Sequence, residues 1–236
     1  MDFKHYNIRC SSLPQIIGSR KPKGKLTEVK AKPHLLDVFI AKQYNRKRST
    51  FNKYMTKGNE EENSSISLYR KVHQTFTKKN ELKYANDFIE GTPDLVLNSK
   101  KKLVIDIKTC WDIWTYIKKT EKVAETDYFW QLAGYSMLTG IPNVRIAYTL
   151  LNNSEYEIYR EYERTKWNLQ IIEDGTEDTS EELLALEDSI RYNNTYDDIP
   201  DKERVKVFDF TVTQSDYDVI KHYVQLSREF LNGLKL

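Results

Sequence analysis

The chain is poor in the residues that mark several protein classes, and each shortage closes one off. Its two cysteines, Cys10 and Cys110, cannot build a disulfide scaffold or supply the four thiolates of an iron–sulfur cluster. Four histidines, His5, His34, His73 and His222, are scattered without the spacing of a zinc site. The eight glycines include no nucleotide-binding loop: five residues separate Gly18 from Gly24, and Lys25 is followed by Leu26, not by the hydroxyl residue that such a loop presents to magnesium. No apolar run is long enough to cross a membrane, no signal-peptide pattern opens the chain, and no repeat period is visible. The expectation is a soluble protein of the reducing cytoplasm.

Net charge is also small, +2 from 37 basic and 35 acidic residues, but it is unevenly spread. Residues 1–58 hold fourteen Lys/Arg against three Asp/Glu, whereas residues 171–203 hold two against twelve. The basic end suits a polyanion, with a steep salt dependence as the consequence. The acidic segment reads as a surface insertion whose centre, 180–192, carries a helical pattern.

Chemistry is concentrated in two short stretches. Gly91-Thr92-Pro93-Asp94 opens an apolar run, and Val104-Ile105-Asp106-Ile107-Lys108 closes another. Both runs are rich in β-branched and aliphatic residues around a polar turn at 98–101, which predicts a β-hairpin. Side chains alternate along a strand, so Asp106 and Lys108 share one face, and Asp94 approaches Asp106 across the hairpin. An aspartate inside so apolar a strand costs free energy unless something pairs it. Hard oxygen ligands of this kind suit magnesium or manganese.

Four spaced motifs over about residues 55–150 resemble the PD-(D/E)XK nuclease superfamily, in its lambda-exonuclease, YqaJ and RecB-like branch. They are Gly58-Asn59-Glu60-Glu61-Glu62 with Ser65 and Tyr69, Gly91-Thr92-Pro93-Asp94, Asp106-Ile107-Lys108, and Trp130-Gln131-Leu132-Ala133-Gly134-Tyr135. The resemblance implies Asp94 and Asp106 as metal ligands, helped by the Ile107 carbonyl, with Lys108 as the catalytic lysine. It further implies a helix-borne acid at Glu62, with Glu61 as the alternative register, and Gln131 orienting the site. Many relatives carry glutamate where this chain has Asp106. Arg9, Ser11 or Ser12, and Thr92 would hold the 5′-phosphate of a DNA end, with the Tyr135 phenol contacting DNA. Helix capping is the competing use of the two serines, and a plain core helix that of the segment around Gln131.

The expected architecture is α/β, a mixed sheet flanked by helices, with the restriction-endonuclease-like core that the resemblance implies. It is read as a single domain over 1–236: a basic helical part to 57, a catalytic core over 58–170, the acidic insertion 171–203, and a C-terminal strand and helix. Strands are expected at 84–90, 144–151 and 204–212, and helices at 34–44, 154–167 and 214–234. The functional expectation is a magnesium-dependent deoxyribonuclease, with manganese substituting; the resemblance implies that it acts 5′ to 3′ on double-stranded ends in recombination or repair. The resemblance also implies a single-strand annealing protein as partner, and ring-shaped homo-oligomers occur in such relatives. The alternatives are an endonuclease on the same core and a catalytically silent DNA-binding module.

Overall fold

The computed structural model describes residues 2–48, 57, 58, 60–98, 102–170 and 177–235. The hairpin turn at 99–101 and the start of the acidic segment at 171–176 lie outside them. At the centre is a four-stranded mixed sheet of β4 (Leu95–Leu97), β5 (Leu103–Cys110), β6 (Asn143–Leu150) and β7 (Val205–Thr211) in that spatial order. β4 and β5 form the expected antiparallel hairpin, β5 and β6 run parallel, and β7 returns antiparallel to β6.

Alternation along β5 divides the core in two. Val104 and Cys110 face the larger core, where α5 (Glu121–Thr139) packs with α1 (Leu13–Ile17), α2 (Ala31–Tyr44) and α8 (Gln214–Gly233). Leu103, Ile105 and Ile107 face a smaller core closed by Ile66 and Tyr69 of α3 (Glu62–His73). Asp106 and Lys108 have the parity of Val104 and therefore look toward α5. On the α3 side, the Ser65 hydroxyl bonds to Thr109 at 2.7 Å and Thr149 at 2.8 Å, so the polar side chains at that end of the sheet are satisfied.

One expected strand is in fact two. Residues 84–90 split into β2 (Tyr84–Ala85) and β3 (Ile89–Gly91), which pair antiparallel, while β3 also pairs parallel with β1 (Ile8–Arg9). The break is an Asx turn: the Asn86 side-chain oxygen accepts from the N–H groups of Phe88 and Ile89, both at 2.9 Å. This small sheet carries the N-terminal segment to the side of the hairpin.

The remaining elements follow the sequence closely. α6 (Glu155–Leu169) starts at a Ser154/Glu157 capping box, and α8 at one built from Thr213 and Asp216. Within the acidic segment, α7 (Glu177–Asn194) lies against α6, where Arg191 pairs with Glu155 at 2.7 Å. Beyond it, buried Tyr196 anchors the return to β7. A short helix, α4 (Ile113–Ile117), follows β5. Among the described residues, no helix is long and apolar enough to cross a membrane.

Candidate active site

The site is assembled where the β4–β5 hairpin meets α5. One step beyond the Leu95–Ile105 pair, the hairpin register sets Asp94 opposite Asp106. The proline before Asp94 fixes the backbone there, and the Asp94 carboxylate accepts the Ile107 N–H at 2.6 Å, continuing the ladder with a side chain. Asp106 is only 2% exposed, and its two oxygens are divided between partners. Oδ2 meets the Lys108 ammonium at 2.7 Å, and Oδ1 accepts from the Gln131 amide at 3.1 Å. The second hydrogen of that amide goes to the Tyr135 hydroxyl at 3.0 Å, one helical turn away.

Two carboxylates on so small and enclosed a surface repel each other. Burial, joined by the charge of Asp106, pushes the Asp94 carboxyl up to about 7, against the pull of Lys108 and the Ile107 N–H. For Lys108, burial favours the neutral amine, but the charges of Asp106 and Asp94 outweigh it and hold the ammonium above the ordinary lysine range. The donor set suits a hard divalent cation. Two aspartate carboxylates, one of them costly to ionise without a counter-charge, stand beside each other with no nitrogen or sulfur ligand in the set.

Glu62 is placed differently from its two expected companions. α3 packs on the opposite face of the sheet, so its first turn reaches the site only at the hairpin edge. There Glu62 pairs with Lys79 at 2.9 Å, while its charge still raises Asp94. Asn80, next to Lys79, is bonded to the Pro93 and Asp94 carbonyls, which holds the pair beside the hairpin. Among the described residues, no three His, Cys, Asp or Glu side chains converge into a ready-made metal cage. Glu61, the alternative register, donates its N–H to the Lys57 carbonyl at 2.9 Å.

A cavity of about 250 Å³ opens beside this cluster, lined by Arg9, Ser11, Thr92, Tyr135, Lys83 and Glu90 among others. It gathers the expected phosphate-binding residues with one exception. Ser12 is not in the lining; it stands at the N-cap of α1, yet its side chain makes no capping bond. The capping reading therefore fails for Ser12, because the 3₁₀ turn at Cys10–Ser12 runs directly into α1. Tight packing shapes the wall. A Cβ on Gly91 would lie 2.7 Å from the Tyr135 ring and 2.9 Å from the Cys10 sulfur, and one on Gly134 would lie 2.8 Å from that sulfur and from Leu13. Burial pushes the Cys10 thiol far up, so it serves as a small packing residue.

Two further residues at the site belong to none of the four motifs. Lys83 lines the cavity and pairs with Glu90 at 2.9 Å; no spacing in its run marks it. Tyr128 lies under the Lys108 ammonium, 5.5 Å from its ring centre, and with Gln131 lines a groove of about 800 Å³ that also takes in Ser11, Lys30 and His34. Its position three residues before Gln131 is a readable signal for a shared helix face.

Comparison with solved structures shows which proteins share this fold. The fold matches a phage-related exonuclease from Haemophilus somnus 129PT with a TM-score of 0.73 at 27% identity, over 97% of this chain and 94% of that one. It matches the alkaline exonuclease LHK-Exo from Laribacter hongkongensis with a TM-score of 0.60 at 13% identity, over 97% and 89%, and LHK-Exo in complex with dAMP equally well. No family model and no curated protein matches the sequence. The chain thus has the fold of the phage-related and alkaline exonucleases, in agreement with the PD-(D/E)XK superfamily that its four motifs resemble.

Proposed function

We propose that this protein is a metal-dependent exonuclease that hydrolyses phosphodiester bonds at the ends of double-stranded DNA, from the 5′ end. The observation that carries the reading is the union of Asp94, Asp106 and Lys108 with Gln131 beside a cavity holding Arg9, Ser11 and Thr92. The exonuclease identity of its structural neighbours supports the same conclusion.

Asp94 and Asp106, with the Ile107 carbonyl, would hold magnesium, or manganese in its place, and Glu62 would assist from the hairpin edge. When bound, such an ion polarises a phosphoryl oxygen and acidifies a water. Lys108 places its positive charge where the phosphorane develops negative charge and orients the attacking water. Gln131 holds Asp106 in its rotamer through one N–H and ties it to Tyr135 through the other. Arg9, Ser11 and Thr92 give the terminal phosphate a cation and two hydroxyls, which makes a DNA end the favoured substrate. The groove past Tyr128 and Gln131 offers the strand a path away from the cluster.

The test is digestion of linear duplex DNA with and without 5′-phosphates, beside a covalently closed circle, in magnesium. Preferential loss of the phosphorylated linear DNA, abolished in Asp106→Ala, is the expected result. Cleavage of the circle would replace this reading with an endonuclease.

A further inference from the structure

Lys57 has no role in the chemistry above, yet it is among the most enclosed charged groups of the molecule, 2% exposed. An ammonium withdrawn from water is strongly disfavoured unless its donors are met. Here all three are. The Nζ donates to the Trp111 carbonyl at 2.9 Å, to the Leu151 carbonyl at 3.1 Å and to the Asn153 side-chain oxygen.

The positions of these acceptors give the interaction its meaning. Trp111 follows the last residue of β5, the strand of Asp106 and Lys108, and Leu151 follows the last residue of its parallel neighbour β6. Lys57 itself lies in helical backbone just ahead of α3: its carbonyl accepts from Glu61, and the Glu61 carbonyl accepts from Ser65 at 2.8 Å. The start of α3 is thus fastened twice to the sheet, by Lys57 at the strand ends and by Ser65 on Thr109 and Thr149, with Glu62 between the two fastenings. Asn153 continues the connection outward, bonding through both its backbone and side chain to Asn194 at the end of α7.

We propose that Lys57 is a positioning residue of the active site: its ammonium clasps the first turn of the Glu62 helix to the ends of β5 and β6, and through Asn153 links that turn to the acidic α6–α7 hairpin. An apolar side chain would fill the space at lower desolvation cost, but only a directional donor fixes the turn against particular carbonyls. Glu62, Ser65 and the hairpin edge then keep one alignment with Asp94. Burial pulls the Lys57 amine down to about 8, with Glu157, Glu61, Cys110 and Asp112 opposing, in keeping with an ammonium held by neutral acceptors.

The proposal rests on the nuclease reading, and on Glu62 assisting the metal. Lys57→Met keeps the bulk and removes the donors; Glu62→Gln and the double variant complete a cycle. In Lys57→Met, kcat should fall about tenfold and the dissociation constant for Mn2+, measured by calorimetry without DNA, should rise by a similar factor, the usual size of effect when a group that orients a metal ligand is removed. KM for DNA ends should change less than about twofold, and amide exchange over residues 61–66 should quicken. In the Glu62→Gln background, Lys57→Met should then add less than about twofold. Unchanged Mn2+ affinity, or losses that multiply in full in the double variant, would overturn the clasp. If Lys57→Met does not fold, Asn153→Ala, which removes one acceptor and the link to Asn194, must show the same Mn2+ weakening in milder form or the proposal fails. A wild-type protein that cleaves no DNA in magnesium or manganese would overturn the nuclease reading itself, a separate result.

Discussion

On the proposed function, Asp94 is where catalysis and stability pull against each other most directly. In metal-free protein its folded-state carboxyl titrates at about 7, against an ordinary value of 3.8. Between those values the folded state holds a proton that the unfolded state has lost, so stability falls as pH rises through the window and the full penalty is present above it. Asp94→Asn removes the penalty while keeping an oxygen for the Ile107 N–H. In EDTA at pH 8 the variant should be more stable than wild type by about 2 kcal/mol, once the partial exposure of the side chain is counted, and the two should converge near pH 4. Thermal melts against pH test this, and equal stability at pH 8 would refute it; the same variant should have no nuclease activity. Gln131 is a second lever. Gln131→Ala leaves Asp106 Oδ1 and the Tyr135 hydroxyl without their donor, a loss of about 1–3 kcal/mol, equivalent to roughly five- to 150-fold in kcat with KM little changed. A change confined to KM would instead make Gln131 a DNA-binding residue. The meeting of Asp94, Asp106 and Lys108 is legible in the sequence, because strand alternation and hairpin register are local rules; Gln131 is marked by the resemblance, since the helical repeat around it fits a plain core helix as well. The Lys79 partner of Glu62 is not legible: it depends on which face of the sheet α3 covers, a tertiary fact.

Among the elements, the hairpin, β6, β7 and the long helices can be read from periodicity, and the failures have local causes. Residues 84–90 read as one extended run, so the alternation continues across Asn86, and only the Asn86 side chain turns the strand back. Lys57, by contrast, carries no sequence signal for a long-range reason, since its carbonyl acceptors lie 54 and 94 positions away. The junction of β3, α5 and the Cys10–Ser12 turn depends on two glycines that have no periodic pattern. Gly91→Ala would drive a methyl into the Tyr135 ring and Cys10, and Gly134→Ala would drive one into Cys10 and Leu13. Each should cost about 1–3 kcal/mol of stability by overpacking. Gly91→Ala should also weaken the preference for 5′-phosphorylated ends, because Gly91 and Tyr135 share the cavity wall. Gly58 supplies the control: it lies in a helical turn where a Cβ would meet nothing within 4 Å, so Gly58→Ala should be neutral or stabilising. Denaturant midpoints rank the three, and a Gly58 variant less stable than the Gly91 variant would contradict the packing argument.

Charge organises the whole molecule as periodicity organises its elements. The basic residues of 1–58 and the acidic residues of 171–203 are far apart in sequence, and the fold gives them different work. α2 brings Lys30 and His34 to the groove beside Gln131 and ends near Arg46, Lys47 and Arg48, whereas α7 lies against α6, which follows β6. On the proposed function, a duplex approaching the groove would meet the basic end, and the counterions released there would set the salt dependence of binding. For the inactive Asp106→Ala protein on blunt duplex DNA, replacing Arg46, Lys47 and Arg48 with Gln should flatten the slope of log K against log salt by about 2 to 3, since each phosphate no longer neutralised removes about 0.9. Replacing Glu181, Glu182, Glu187 and Asp188 with their amides should leave that slope unchanged and raise affinity only modestly, by relief of long-range repulsion. A slope that responds to the acidic set and ignores the basic one would place the DNA on the α6–α7 side, and the groove past Tyr128 would then lose its role as the path of the strand.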